Sequence, residues 1–141
     1  MTSAVKGQEL CDLLEKNVDL DTLITFINSL TFYERDYLFR HPIDVEMNTP
    51  LHLACRSCSL DTILYLLSLG ICDLIAENER GDTPFQLYYY RNRFRTTETL
   101  DILYREMKCI LEDVGLFNLW CHRSNKNSGR IRDILLKEGI E

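Results

Sequence analysis

Three side chains that can bind a metal ion recur at every third position, at His52, Cys55 and Cys58. Imidazole nitrogen and thiolate sulfur are the ligands of structural zinc sites, which need four of them. Cys72 is the one nearby candidate for a fourth ligand, and the sequence has no second C-x-x-C pair. On a helix, at about 100° per residue, the three side chains would also spread over about 120°. The pattern therefore predicts buried structural residues and no metal site.

A thiol next to an imidazole, as in Cys121-His122, could suggest a nucleophile and its base. Such pairs are recognised by spatial geometry, and residues adjacent in sequence rarely face each other. The chain also has no phosphate-binding glycine loop, no G-x-S-x-G and no H-E-x-x-H. We therefore expect neither an enzyme nor a cofactor.

The sharpest local cluster is the arginine series Arg91, Arg93 and Arg95, which follows three tyrosines at 88–90. Arginine and tyrosine are enriched at interface hot spots, and the guanidinium fork fits carboxylates or phosphates. The cluster is either a docking patch for an acidic partner or a solvated loop whose tyrosines fill space between helices. An alternative function follows, a nucleic-acid or phosphate-ligand binder that uses the arginine-rich segments 91–95 and 123–132.

Composition argues against that alternative and for an ordinary globular domain. The net charge is −6, whereas nucleic-acid binding needs a basic footprint. The acidity lies in the N-terminal half, since residues 1–70 carry 10 acids and 5 bases. With no signal peptide and no membrane span expected, we predict a cytoplasmic protein with no membrane partner. In that compartment the six cysteines are expected to be reduced thiols.

The elements that must position these residues are predicted to be pairs of helices. Segments 20–30 and 60–70 both begin with Leu-Asp-Thr and continue with an apolar stripe at helical spacing. The predicted helices cover 8–16, 20–30, 50–57, 60–68, 84–91, 98–114, 116–123 and 129–138, with a short helix or turn near 33–38.

The stretch from Thr49 to Ala54 has the sequence TPLHLA, and a degenerate copy, TPFQL, begins at Thr83. A period of about 33 residues that carries T-P-L-H-x-A is typical of ankyrin repeats, and segment 44–90 closely resembles that family. The resemblance implies an all-α solenoid of about four helix-turn-helix repeats with short β-turn fingers and irregular terminal repeats. It implies a single domain over 1–141, with approximate repeats 8–43, 44–77, 78–115 and 116–141. The structural residues that it implies are Thr49, Pro50, Leu51, His52, Leu53, Ala54, Gly70, Gly81, Thr83 and Pro84.

Several positions depart from the family pattern. The Leu-Asp-Thr segments at 20 and 60 lie further apart than Thr49 and Thr83, which indicates an insertion within 31–48. Met47 stands where the family prefers glycine, and Gln86 replaces the histidine that, at position 52, is expected to bond near Thr49 and tie adjacent turns. Tyr88 and Tyr89 replace two small alanines that let neighbouring helices pack closely. We therefore expect the array to be irregular after residue 88, as terminal repeats often are.

The family binds partner proteins through its finger tips and the exposed first-helix positions of its concave side. The resemblance therefore implies a non-enzymatic module that acts by scaffolding, masking or competition. Short, divergent ankyrin proteins of this kind resemble those that large DNA viruses and intracellular bacteria direct at host proteins, in the host cytosol or nucleus. The expected partner-binding residues are Val45, Glu46, Asn48, Arg56, Ser57, Glu79, Arg80, Asp82, Tyr90 and Arg91, to which the docking patch adds Arg93 and Arg95.

Overall fold

Helices make up most of the chain, as the all-α prediction requires. The computed structural model describes residues 3–92, 97–122, 124–125 and 129–140. The one sheet in these ranges is a pair of two-residue antiparallel strands, in which Ser124 pairs with Arg130. The helices are α1 (Ser3–Glu15), α2 (Leu20–Asn28), α3 (Phe32–Arg40), α4 (Pro50–Ser57), α5 (Leu60–Ser68), α6 (Pro84–Asn92), α7 (Glu98–Asp113), α8 (Phe117–Cys121) and α9 (Ile131–Lys137), and the strands are β1 (Ser124–Asn125) and β2 (Gly129–Arg130).

Short polar side chains begin several helices by satisfying backbone N–H groups that have no partner in the first turn. Asp19 accepts from the N–H of Thr22 at the start of α2, and Ser59 accepts from the N–H of Thr62 at the start of α5. Thr31 forms a reciprocal capping box with Glu34 at the start of α3. Each cap contributes about 1 kcal/mol, which helps helices as short as α4 and α5 to form.

The largest difference from the sequence predictions is at the N-terminus, where helix α1 begins at Ser3 rather than at residue 8 and includes Gly7. A Cβ atom at Gly7 would lie 3.5 Å from a methyl group of Leu38, an ordinary contact distance, so α1 and α3 meet here. Helix α3 is the short helix expected near 33–38, extended to Phe32–Arg40. The other helix ends differ from the predicted ones by at most two residues, as at the C-terminus, where residues 129–130 belong to β2 and α9 starts at Ile131.

Helices α1, α4 and α6 pack side by side, and α5 packs against α7 behind them. Helix α4 lies in the middle of this stack, and every residue from Leu51 to Cys55 is fully buried. A helix with neighbours on both sides has no solvent-facing stripe, which explains why TPLHLA contains almost no charge. The core continues through Leu10 and Leu14 of α1 and through Phe85 of α6.

Aromatic rings from α6, α7 and α8 pack together in the C-terminal part of the core. Trp120 of α8 lies 5.2 Å from Phe85 and 6.0 Å from Tyr104, measured between ring centroids. Only residues 114–116 separate α7 from α8, and this link is too short for a β-turn finger. Within the described ranges, no helix combines the length and apolar character that are needed to cross a membrane.

Candidate functional site

The loop before α4 forms the first finger, residues 43–49, and one side chain organises it. The carboxylate Oδ1 of Asp44 accepts from the backbone N–H of Glu46 at 3.0 Å and of Asn48 at 2.8 Å. Its Oδ2 accepts from the amide of Asn48 at 2.9 Å. Aspartate side chains often bond the backbone a few residues on, which stabilises a turn. The first finger is therefore fixed by its own polar side chains.

The loop before α6 forms the second finger, residues 77–83, with Asn78 in the place of Asp44. Oδ1 of Asn78 accepts from the N–H of Arg80 and of Asp82, each at 3.0 Å. The amide nitrogen of Asn78 donates back to Oδ1 of Asn48 in the first finger, at 3.0 Å. A backbone bond of 2.9 Å from Glu79 N–H to the Glu46 carbonyl also joins the two fingers.

Both fingers turn at a residue in the left-handed backbone conformation. Gly81 has φ of 82°, and Met47, at the equivalent place in the first finger, has φ of 63°. Glycine adopts this region freely, whereas a side chain with a Cβ atom is strained there. The first finger therefore makes its left-handed turn without a glycine.

His52 connects the first finger to the second through both ring nitrogens. Nδ1 accepts from the N–H of Thr49 at 3.1 Å, so Nε2 carries the proton and donates to the carbonyl of Asp82 at 2.8 Å. Burial lowers the pKa of His52, and protonation of Nδ1 would also set a donor against the Thr49 N–H. His52 is therefore a neutral structural residue, in the role that the sequence suggested.

Gln86 caps α6 in the way that His52 caps α4. Its Oε1 accepts from the N–H of Thr83 at 2.7 Å, as His52 accepts from Thr49. Gln86 and Thr83 are both fully buried. The departure from histidine therefore preserves the start of α6.

The exposed part of the finger surface is smaller than the sequence predicted. Val45 is 94% exposed at the tip of the first finger, and Glu79 and Arg80 are exposed at the tip of the second. Asn48 and Asp82, which were expected to contact a partner, are 1% and 3% exposed. Their side chains lie inside the fingers, so these two residues are removed from the candidate surface.

The first-helix side of the surface carries a small charge network. Arg56 of α4 lies 3.7 Å from a carboxylate oxygen of Glu15 and 3.6 Å from one of Glu46. Arg56, Ser57 and Glu46 are half-buried. The arginine is therefore shared between α1 and the first finger, while part of its side chain stays accessible.

The arginine–tyrosine cluster is only partly described. Tyr88 and Tyr89 are buried, and Tyr90 is half-buried. Arg91 is exposed, although its Nη1 donates to the Cys55 carbonyl of α4 at 3.1 Å and its guanidinium carbon lies 5.6 Å from the centre of the Tyr88 ring.

Tyrosines that fill space between helices agree with one of the two interpretations given above, and Arg91 also joins α6 to α4. Arg93 and Arg95 lie outside the described residues, so the docking-patch hypothesis stays a prediction. Of the segment 123–132, Arg130 and Arg132 are exposed.

Five of the cysteines are buried or half-buried packing residues, whereas Cys109 is exposed. Burial raises the pKa of Cys58 to about 11 and of Cys72 to about 12, and it raises the pKa of Cys55 and Cys121 as well. Thiols with raised pKa values are poor nucleophiles, because the thiolate is the reactive form. Among the described residues, no three His, Cys, Asp or Glu side chains are arranged to hold a metal ion.

Sequence reasoning missed an aromatic surface on α3. Phe32 is 72% exposed, Tyr33 is 82% exposed, and Tyr37 is 53% exposed and stacked on His41 with centroids 4.2 Å apart. The signal was present, since Tyr33, Tyr37 and His41 follow one another at intervals of four within the segment recognised as an insertion.

Comparison with known proteins identifies the central repeat. The family model described as the ankyrin repeat matches residues 46–75, which run from the first finger through α4 and α5 to the second loop. No curated protein matches the chain.

Proposed function

Because the chain is an ankyrin-repeat protein, we propose that it binds a partner protein through its exposed finger and first-helix residues, without catalysing a reaction. Ankyrin repeats are generally protein–protein interaction modules. The proposed mode of action is scaffolding, masking or competition. The proposed contact residues are Val45, Glu46, Arg56, Ser57, Glu79, Arg80, Tyr90 and Arg91, with Arg93 and Arg95 kept from the docking-patch hypothesis.

One observation supports this proposal most strongly, namely rigid fingers with exposed tips. Hydrogen bonds tie the second finger to the first finger and α4, through Asn78, Glu79 and the carbonyl of Asp82. Val45 nevertheless projects into solvent, where its apolar side chain contributes little to folding. Preorganised loops lose little conformational entropy on binding, which favours affinity.

The compartment and the repeat boundaries belong to the same proposal. All six cysteines are free thiols, which agrees with a reducing compartment such as the cytosol, or a host cytosol or nucleus. We further propose that 1–141 acts as one domain with the repeats given above. A role in host interaction stays a hypothesis from the irregularity of the array.

The test is affinity capture from cell lysate, followed by mass spectrometry, with the whole chain as bait. Two single variants, Val45→Asp and Glu79→Arg, alter one finger tip each. The matched control is Glu106→Arg, which repeats the charge change of Glu79→Arg on the exposed face of α7. We expect a partner whose recovery falls at least tenfold with a tip variant, since a hot-spot loss is about 2 kcal/mol.

Each variant must melt at the wild-type temperature, so that a lost partner reports on contact rather than on unfolding. The control should retain the partner. Identical recovery with the wild type, both tip variants and the control would contradict binding through the fingers.

A further inference from the structure

A groove of about 600 Å³ lies between α1, the end of α3 and the base of the first finger. Gly7 and Cys11 of α1 line one wall, and Tyr37 and Leu38 line another. Pro42 and the first-finger residues 43–45 form its base. Helix α3 lies in the segment 31–48, where the sequence indicates an insertion, so inserted residues build this wall of the groove.

Small side chains on one face of α1 leave the groove open. Ala4, Gly7 and Cys11 follow one another at helical spacing, which places them on one side of the helix. Gly7 and Cys11 are buried, while Ala4 is exposed at the end of the groove. A bulky apolar side chain from another molecule could therefore be enclosed there without displacing a side chain of α1.

Exposed aromatic and apolar residues stand at the edge of this groove. Tyr37 lines it and remains 53% exposed, and Val45 lines it at the opposite edge and is 94% exposed. Tyr33, one turn earlier on α3, extends the aromatic surface and is 82% exposed. Exposed aromatic residues next to an apolar depression are typical of interaction sites.

Acidic side chains outnumber basic ones at this rim of the groove. Glu15 and Asp44 are among its lining residues, and the described lining includes no lysine or arginine. Glu46 lies nearby, and Arg56 sits between the carboxylates of Glu15 and Glu46 at 3.7 Å and 3.6 Å. One guanidinium shared by two carboxylates leaves net negative charge, which attracts a cation through a surface of this kind.

We propose that this groove binds a peptide segment of a partner protein that carries one bulky apolar side chain next to lysine or arginine. The apolar side chain enters the groove beside Cys11 and Tyr37, and the basic side chain pairs with Glu15 at the rim. This inference rests on the proposed partner-binding function and names the chemistry of the partner.

The test is selection of a phage-displayed library of random peptides on the whole chain. We expect enriched peptides to contain lysine or arginine beside a bulky apolar residue. Synthetic copies should bind at least tenfold more weakly to Ala4→Trp, which fills the groove, and to Tyr37→Ala, which removes an exposed edge residue. Glu15→Gln should weaken binding about threefold to tenfold, and added salt should weaken wild-type binding.

Glu106→Gln, on the exposed face of α7, is the matched control for Glu15→Gln and should leave peptide affinity unchanged. The melting temperature of each variant establishes that it is folded. If Ala4→Trp does not fold, Tyr37→Ala still tests the groove. Failure to enrich any peptide, enrichment of acidic peptides, or equal binding by the folded groove variants would overturn the proposal. If Arg80→Glu abolishes peptide binding while the groove variants retain it, the groove proposal is wrong and the proposed binding through the fingers remains.

Discussion

The two finger turns, one before α4 and one before α6, have the same backbone path but different side chains at equivalent places. Both end in a Thr-Pro pair that starts a buried helix, and both turn through a left-handed residue. The side chain that organises the turn is Asp44 in the first finger and Asn78 in the second. The residue at positive φ is Met47 in the first and Gly81 in the second, and the residue that caps the helix is His52 or Gln86.

Two of these differences follow from where the hydrogen-bond partners of each side chain lie. Ionised Asp44 can only accept, and its bonds stay within its own finger. Asn78 accepts within its finger and also donates to Asn48, so an amide joins the two turns where a carboxylate could not. His52 likewise uses two ring nitrogens on opposite sides. Residues that bridge repeats therefore need both a donor and an acceptor.

The largest effect should come from removing the bridge at His52. His52→Ala leaves the Asp82 carbonyl and the Thr49 N–H without their ring partners in a fully buried place and opens a cavity. We expect a loss of about 3 kcal/mol in the free energy of unfolding, measured by urea titration.

Gln86→Ala is the matched change in the second turn, where the bond from the Thr83 N–H to the side chain of Gln86 is lost. The loss of that bond should cost about 1 to 2 kcal/mol in the free energy of unfolding. No measurable loss would contradict the view that this bond stabilises the start of α6.

The second prediction is that the first turn depends on pH. The pKa of His52 is lowered on folding, so the unfolded chain takes up a proton first as the pH falls through about 6.5. The stability that neutral His52 provides is therefore complete above that pH and declines below it, by up to about 1.4 kcal/mol per pH unit.

His52→Gln places the side chain of the second turn in the first and has no such titration. The difference in unfolding free energy between wild type and His52→Gln should therefore shrink from about pH 7.5 to about pH 5.5. Every other ionisable group is common to the two proteins, so its contribution cancels in this difference. A difference that stays constant over this range would show that protonation of His52 does not oppose folding.

Sequence reasoning predicted the central repeat well because its signals are local. The Thr-Pro pair, the apolar stripe and Gly70 each mark a boundary, and α4 and α5 span the predicted 50–57 and 60–68. The role of His52 also followed from the motif, since the repeat length brings Asp82 to its second ring nitrogen.

Sequence reasoning missed two features. Asn48 and Asp82 look like surface residues by type, yet the finger turns bury them, and the Asn48 side chain bonds Asp44 and Asn78. In α3 the adjacent Leu38 and Phe39 are buried while Tyr33 and Tyr37 are exposed, so no helical stripe separates core from surface. Both outcomes depend on which neighbours the fold supplies.

The smallest effect concerns the left-handed residues. Met47→Gly should relieve strain of about 1 kcal/mol, because φ of 63° is unfavourable for a residue with a Cβ atom. Glycine also adds entropy to the unfolded chain, so the net gain should be about 0.5 kcal/mol. Met47 is 50% exposed, and its removal sacrifices little buried area.

The reverse change, Gly81→Met in the second finger, introduces the same strain at φ of 82° and should cost about 1 kcal/mol. Urea midpoints of the two variants, compared with wild type, measure both effects. Opposite signs would establish that the first finger tolerates strain that the second avoids. A destabilised Met47→Gly would instead mean that the half-exposed methionine side chain contributes more by packing than the backbone loses by strain.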